Sequence, residues 1–323
     1  MLLRKNIIMI LTVGTISLAL TWISLEIFAR CATFSSGAQL GLTDRRWRKK
    51  NWHPINRIGF RDFEVGEVKK TPQVVFLGDS FTAGYGVKFD ETFYFLSRSA
   101  NPTPYQFVNL GKLGASTEQE AKTLSRYLTA FKPELRTVIH QYLGNDIQSR
   151  MTMPKVDHRL PARLRVRSEG INFLDNLLFS RELGGAYFEA LYHAYRDKNL
   201  LALHLADLKK LHTDIRKQKA NLVFLVFPFL DNDQITARSA EYIKIIRNYF
   251  NETCAKNDIF VDVTPLVEKL SPRERVASCM DAHPSAQLHQ LVSEVLIGIL
   301  QKTKLNQDMV HLCPSDQALQ DPR

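Results

Sequence analysis

The chain has 323 residues, of which 45% are hydrophobic and 24% are charged, so it can bury one large core or two small ones, and a mainly disordered chain is excluded. Its formal net charge of +10 favours anionic partners. Four cysteines without a C-x-x-C pair exclude a zinc ribbon and a small disulfide-dense fold.

The N-terminal segment is apolar. Residues 7–25 carry no charge, and at about 1.5 Å per residue they nearly match a hydrocarbon core of roughly 30 Å. Arg4 and Lys5 precede them, which favours a cytoplasmic N-terminus. The run is longer than a signal-peptide core, and bulky residues follow it, so residues 1–30 are interpreted as an uncleaved membrane anchor. A cleaved signal segment and a buried helix of a soluble protein are the alternatives.

Residues 31–71 form a juxtamembrane lead-in between this segment and the rest of the chain. Its basic stretch RRWRKK, residues 45–50, is interpreted as a solvated surface near anionic lipid headgroups rather than as a nucleic-acid site. We therefore expect a membrane partner through the N-terminal helix and no nucleic-acid partner.

From residue 73 onward, short β-branched or aromatic runs alternate with longer amphipathic stretches. This alternation predicts an α/β domain over residues 72–305 with a mainly parallel sheet. The predicted strands are residues 74–78, 106–110, 137–143, 221–227 and 259–263. The predicted helices are residues 117–131, 200–218, 237–255 and 285–302. Residues 306–323 are polar and are expected to form a frayed tail.

Residues 147–199 separate the third and fourth predicted strands and form a long insertion. We expect it to cover the strand edge and to select substrate, because its second part is apolar and its first part is basic. The basic residues are Arg150, Lys155, Arg159, Arg163, Arg165 and Arg167. The alternative is a solvated basic loop beside a packing helix.

Candidate chemistry follows the predicted strands. Ser80 comes directly after the first strand, and Gly114 and Asn145 follow the second and third, so all three are expected at one edge of the sheet. Near the C-terminus, Asp281 and His283 supply a carboxylate and an imidazole. A serine, an imidazole that takes its proton and a carboxylate that orients the imidazole form an activated nucleophile. A serine that only caps a helix is the alternative for Ser80.

Four blocks in this order resemble the SGNH, or GDSL-like, hydrolase superfamily: GDSFTAGYGV, NLGKLG, GND and DAHP. The lead-in sequence INRIGFRD, residues 55–62, also resembles that of membrane-anchored members. The resemblance implies a flavodoxin-like, three-layer α/β/α fold with a five-stranded, mainly parallel sheet. It implies that Ser80 is the nucleophile, His283 the base and Asp281 the residue that orients it. The oxyanion hole would consist of the Ser80 and Gly114 N–H groups and the Asn145 amide.

The chain departs from the family pattern at two points. Phe81 replaces a leucine, which affects packing, and Asp281 precedes His283 by two residues where many members have three. The short spacing leaves a backbone carbonyl as an alternative partner for His283. His140 is expected to be a satisfied structural histidine and His289 a solvent-facing or structural one. Asp79 and Asp146 are expected to bond to loop backbone, and no metal or cofactor is implied.

The sequence thus predicts an anchored, extracytoplasmic serine ester hydrolase, periplasmic in a Gram-negative cell, that acts through an acyl-enzyme. Its substrate would be an acyl ester of lipid, acetylated polysaccharide or peptidoglycan, anionic or carbohydrate in nature. An O-acyltransferase with the same residues and a catalytically silent envelope protein are the alternatives. In an oxidising compartment Cys279 is expected to pair with Cys254 or Cys313, and three free thiols are the alternative.

Overall fold

A computed structural model of the chain describes residues 2–32, 36, 42–64, 71–101, 105–153, 160–165, 167–278, 281–302 and 309–313. The α-helices among these residues are α1 (Leu2–Ala32), α2 (Leu42–Asn51), α3 (Phe93–Ala100), α4 (Thr117–Phe131), α5 (Ala162–Arg165), α6 (Glu169–Arg196), α7 (Lys198–Lys217), α8 (Asp233–Thr253), α9 (Thr264–Glu268) and α10 (Ala286–Leu300). The strands are β1 (Gln73–Leu77), β2 (Gln106–Asn109), β3 (Leu135–Tyr142), β4 (Asn221–Val226), β5 (Ile259–Asp262), β6 (Val276–Ser278), β7 (Asp281–Pro284) and β8 (Val310–Leu312). Short 3₁₀-helices span Phe89–Glu91 and Gly144–Arg150.

The central sheet has the strand order β2-β1-β3-β4-β5-β8. The first five strands are parallel and agree with the predicted strands to within two residues at each end. The sixth, β8, runs antiparallel to β5 and pairs Val310 with Val261. The expectation of a frayed tail is therefore wrong for residues 309–313, because these residues extend the sheet. Residues 303–308 and 314–323 lie outside the described part of the chain.

Helices cover both faces of the sheet, as the uninterrupted apolar strands require. All five residues of β1 are buried, a pattern typical of a parallel strand with helices on each side. On one face α3 and α10 pack together, and the ring centre of Phe93 in α3 lies 6.1 Å from that of Phe76 in β1. On the other face α4 and α7 pack together, and both contact His140 of β3. The expected three-layer α/β/α architecture is confirmed.

The long apolar helix α1 joins this domain at its C-terminal end. Residues Arg4–Cys31 are long and apolar enough to cross a membrane, although a signal sequence passes the same test. The Glu26 carboxylate accepts hydrogen bonds from the Ser168 hydroxyl at 2.6 Å and from the Gly170 N–H at 2.8 Å. A carboxylate at a helix N-terminus satisfies N–H groups that the first turn leaves unpaired. A Cβ at residue 170 would come within 3.1 Å of Glu26, so glycine permits the close approach of the two helices.

A disulfide joins Cys254, at the end of α8, to Cys313, which follows β8. The predicted pairing of Cys279 with either of these residues is wrong, because the two partners are bonded to each other. Three free thiols are excluded for the same reason. Cys279 itself lies outside the described residues. The disulfide connects the end of α8 to the residue after β8, at the edge of the sheet.

Candidate active site

Ser80 and His283 meet at the carboxyl edge of the sheet. Ser80 lies in the loop directly after β1, where backbone turns carry the chain over the strand ends. His283 lies on β7, which forms a short antiparallel ribbon with β6. The ring nitrogen Nε2 of His283 is 2.8 Å from the Ser80 hydroxyl oxygen. This distance allows the imidazole to accept the hydroxyl proton.

Asp281 approaches the same imidazole from its other nitrogen. Its Oδ1 atom lies 2.5 Å from Nδ1 of His283 and also accepts the His283 backbone N–H at 3.1 Å. The short spacing is thus compatible with a carboxylate partner, because one oxygen serves the ring and the backbone of the residue two positions later. With Nδ1–H donating to Asp281, Nε2 is left as the acceptor that faces Ser80. The alternative backbone-carbonyl partner is not needed.

The pKa values of this pair move in opposite directions. Burial alone would lower the pKa of His283, but its hydrogen bond and charge interaction with Asp281 outweigh burial and raise that pKa. Burial alone would raise the pKa of Asp281, but hydrogen bonds from His283 and Ser36 hold it below its usual range. An ionised Asp281 beside a basic His283 is the arrangement that stabilises an imidazolium.

The two other predicted oxyanion groups are placed differently. Asn145 is the second residue of the 3₁₀-helix that follows β3, and it borders the same pocket as Ser80 and His283. Tyr187 of α6 borders the same pocket. Gly114 is not among the described residues that line the pocket, and its carbonyl accepts a hydrogen bond from Gln148 at 3.2 Å. Asn145 is therefore the better placed of the two to contact a substrate in this pocket.

The pocket has a volume of about 310 Å³ and is lined by both apolar and polar residues. Its described lining residues are Ser36, Ser80, Phe81, Tyr85, Leu143, Asn145, Gly184, Tyr187, Phe188, Phe229, Leu230, Asp231, Asp281, Ala282 and His283. Aromatic and aliphatic side chains of this kind suit an acyl chain or a sugar face.

Residues of the INRIGFRD sequence hold the loops that carry the site. Arg61 is buried, and its guanidinium donates to backbone carbonyls of the lead-in and of the loop after Ser80, namely those of Asn51, Ala83, Gly84 and Val87. The Asp62 carboxylate accepts the Asn109 N–H at 2.9 Å. The INRIGFRD motif therefore connects the lead-in to the loop after β1 and to the end of β2.

Sequence reasoning missed several residues that touch the site. The Tyr85 ring lies 4.9 Å from that of His283, and a Cβ on Gly86 would come within 3.3 Å of both Asp281 and His283. Gly86 also has a φ of +98°, which glycine tolerates best. Asp231, in the loop between β4 and α8, lines the pocket. The rule that pointed to Asn145, a polar residue just after a parallel strand, also points to Asp231.

The remaining candidate acids and histidines have structural partners. His140 is buried between Glu120 and His212, and His289 is buried with its Nδ1 accepting the Phe93 N–H at 3.1 Å. Asp79 accepts the Phe81 N–H at 2.8 Å and Asp146 the Leu143 N–H at 3.0 Å. These contacts confirm the predicted structural and loop-binding roles. Within the described residues, no group of three or more His, Cys, Asp or Glu is arranged to hold a metal.

Among the described residues, the insertion contributes to the pocket through α6 and not through basic side chains. Gly184, Tyr187 and Phe188 of α6 line the pocket. Arg150 is paired with Asp207 and Arg165 with Asp175, which corrects the expectation that these two face a substrate. Arg163 and Arg167 are exposed, and Lys155 and Arg159 lie outside the described residues.

Comparisons with known proteins show the family of the chain. Residues 76–291 match the model of the GDSL-like lipase/acylhydrolase family, and no curated protein matches the chain. A lipase/acylhydrolase from Enterococcus faecalis is 15% identical, with a TM-score of 0.45 over 73% of this chain and 99% of that one. An acetylxylan esterase from Geobacillus stearothermophilus, solved as a catalytic mutant, is 17% identical, with a TM-score of 0.45 over 73% and 96%. Because the family model spans most of the α/β domain, the chain belongs to the GDSL-like lipase/acylhydrolase family of ester-hydrolysing enzymes.

Proposed function

We propose that the protein hydrolyses an acyl ester of the cell envelope through a covalent acyl-enzyme formed on Ser80. The observation that carries this proposal is the 2.8 Å contact between Ser80 Oγ and His283 Nε2 at the edge of a pocket. Ser80 Oγ attacks the ester carbonyl carbon while Nε2 takes the hydroxyl proton. The intermediate collapses, the bond to the alcohol breaks, and the alcohol leaves with that proton. Water then attacks the acyl-serine and gives a proton to His283. His283 passes this proton to Ser80 Oγ as the bond between Oγ and the acyl carbon breaks, which releases the carboxylic acid and restores Ser80.

The developing negative charge on the carbonyl oxygen needs donors. The backbone N–H groups of Ser80 and Gly114 and the amide of Asn145 serve as the oxyanion hole in this proposal. The position of Asn145 on the pocket wall supports its part of the role directly. The proposed role of the Gly114 N–H as an oxyanion donor rests on the family pattern. It is also consistent with the position of Gly114 after β2, at the same edge of the sheet.

The location in the envelope has two supports. The end of α1 is built into the domain, since Glu26 caps α6 and Ala29 is fully buried. A cleaved signal would take these contacts with it, so we favour an uncleaved anchor with Arg4 and Lys5 on the cytoplasmic side. The Cys254–Cys313 disulfide fits an oxidising, extracytoplasmic compartment.

The chemistry is tested on the full chain in detergent with a fluorophosphonate probe and a panel of acetyl esters, long-chain esters and acetylated glycans. The wild type should label and release free acid, and Ser80→Ala should do neither. Ser125→Ala, at an exposed serine of α4, is the matched control and should behave as wild type. Failure of the wild type to label, or labelling that survives in Ser80→Ala, contradicts the proposal. Transfer of the acyl group to a sugar hydroxyl without net hydrolysis favours an acyltransferase instead.

The location is tested on protein purified from membranes. Mass spectrometry should find the N-terminal apolar segment retained, and non-reducing peptide mapping should find Cys254 linked to Cys313. A mature N-terminus beyond residue 30 contradicts the anchor, and reduced thiols at both cysteines contradict an oxidising compartment.

A further inference from the structure

The two oxygens of the Asp281 carboxylate have different partners. Oδ1 is used twice by His283, through its ring and its backbone N–H. Oδ2 accepts a hydrogen bond from the hydroxyl of Ser36. Asp281 is only 5% exposed, so a charged oxygen without a donor would be costly there. Ser36 therefore supplies a partner that His283 cannot provide for Oδ2.

Ser36 belongs to a different part of the chain from the other site residues. It precedes residues 76–291, which match the family model, and it follows the end of α1 by only four residues. Four residues span at most about 14 Å, so the membrane-side helix ends close to the Asp281 carboxylate. The contact thus joins the segment next to the anchor to the residues proposed to act on the ester.

Ser36 is itself held in place. It is 1% exposed, and its carbonyl oxygen accepts a hydrogen bond from the Tyr85 hydroxyl at 2.8 Å. That hydroxyl also lies against the Asp44 carboxylate of α2, and the Tyr85 ring packs 5.3 Å from Trp47. Tyr85 also packs on His283, so this one tyrosine contacts both the imidazole and Ser36, which bonds to the Asp281 carboxylate. A serine fixed in this way presents its hydroxyl in one direction.

We propose that Ser36 is a positioning residue, whose hydroxyl holds Asp281 in the orientation that fixes the His283 ring. The proposal rests on the proposed function, because it assigns Ser36 a part in the same Ser80 reaction. It explains how a carboxylate only two residues from its histidine stays aligned, since Oδ1 is shared and Oδ2 is anchored from outside. The hydrogen bond from Ser36 also favours the ionised form and helps to keep the pKa of Asp281 low.

The test uses full-length Ser36→Ala and Ser36→Thr, with Ser125→Ala as the matched control at an exposed serine. Ser36→Ala should lower kcat about tenfold with little change in KM, since misplacing a supporting group affects the reacting geometry. The acid limb of kcat/KM should move to lower pH, because a less constrained Asp281 raises the pKa of His283 by less. Ser36→Thr, which keeps a hydroxyl, should retain most of the wild-type kcat and leave the acid limb close to its wild-type position.

A double-mutant cycle separates positioning from general damage to the fold. Once Asp281→Ala has removed the carboxylate, adding Ser36→Ala should cost no further activity. An additive loss, an unmoved acid limb or a limb that moves to higher pH overturns the proposal. If the wild type and Ser80→Ala behave as expected while Ser36→Ala matches wild type, only this inference fails. If the wild type neither labels nor turns over, the proposed function fails first.

Discussion

His283 and His140 each hydrogen-bond to a carboxylate, yet their second ring nitrogens meet very different surroundings. In His283, Nδ1 faces Asp281 and Nε2 faces the Ser80 hydroxyl beside the pocket. In His140, Nε2 is 2.9 Å from Glu120 and Nδ1 is 2.9 Å from His212, and all three side chains are buried. A histidine–carboxylate pair can act as a general base only where the second ring nitrogen faces a reactive group that substrate can reach.

The buried set has a consistent arrangement of protons. Burial lowers the pKa of His212 well below its usual value, so this ring is neutral. The Tyr249 hydroxyl then donates to Nδ1 of His212, Nε2–H of His212 donates to His140, and Nε2–H of His140 donates to Glu120. Every ring nitrogen in the set has a partner, which leaves no acceptor for a substrate proton.

The largest expected effect separates the two histidines directly. His283→Ala should lower kcat on a small neutral ester by about 10⁴-fold or more, because it removes the proposed base. His140→Ala should leave kcat within about threefold but lower the free energy of unfolding by about 1–3 kcal/mol, because Glu120 and His212 lose a partner. Activity assays and thermal unfolding in detergent measure the two effects. A similar loss of kcat in both variants, with both folded, would contradict the distinction between a base at His283 and a structural histidine at 140. If His140→Ala does not fold, His140→Gln replaces it.

The carboxylates should differ in the same way. Asp281→Ala should lower kcat by about 10³-fold, less than His283→Ala, because the carboxylate orients the base and does not take the proton. The reaction needs neutral His283, so the acid limb of kcat/KM follows the pKa of His283. Asp281 raises that pKa, so its removal should move the limb to lower pH. Glu120→Gln is the matched control and should leave the limb unchanged; an equal shift in both variants contradicts the assignment.

The residues of the candidate active site were largely predictable from sequence because most of them follow the ends of strands. Ser80 and Asn145 come directly after buried β-strands, and parallel strands bring such residues to one edge. Short ordered motifs then singled out His283 and Asp281. The central five strands were also predictable, since each is a short apolar run bounded by polar residues.

Other contacts had no local signal. Ser36 and Asp281 are 245 residues apart in sequence, and no periodicity relates them. The three residues of β8 sit in a polar tail and become a strand only because β5 offers an open edge. Pairing of Cys254 with Cys313 depends on that same strand. Arg165 looked like a surface cation, but folding of the insertion places it beside Asp175.

Asn145 tests the comparison along a single strand, since His140 lies within β3 and Asn145 lies just after it. Asn145→Ala should lower kcat by about 10²–10³-fold with a small change in KM, the usual effect of removing one oxyanion donor. The variant should unfold at nearly the wild-type temperature because its side chain borders a pocket. A loss confined to stability would assign Asn145 the structural role that His140 has.

The smallest expected effect is the response of stability to pH, where the two kinds of histidine have opposite signs. His212 has a folded-state pKa well below its usual 6.5, so as pH falls below 6.5 the unfolded chain binds a proton there that the folded chain does not. Stability should therefore fall with pH in this range, by up to about 1.4 kcal/mol per pH unit for one such group. His283 has a raised pKa, so its contribution is present at low pH and is lost as pH rises through that pKa. Thermal unfolding below pH 6.5 should show a shallower decline for His212→Gln than for wild type. Above pH 6.5, the loss of stability with rising pH that His283 causes in the wild type should be absent in His283→Gln. Parallel curves for all three proteins would mean that neither ring's environment is as the hydrogen bonds indicate.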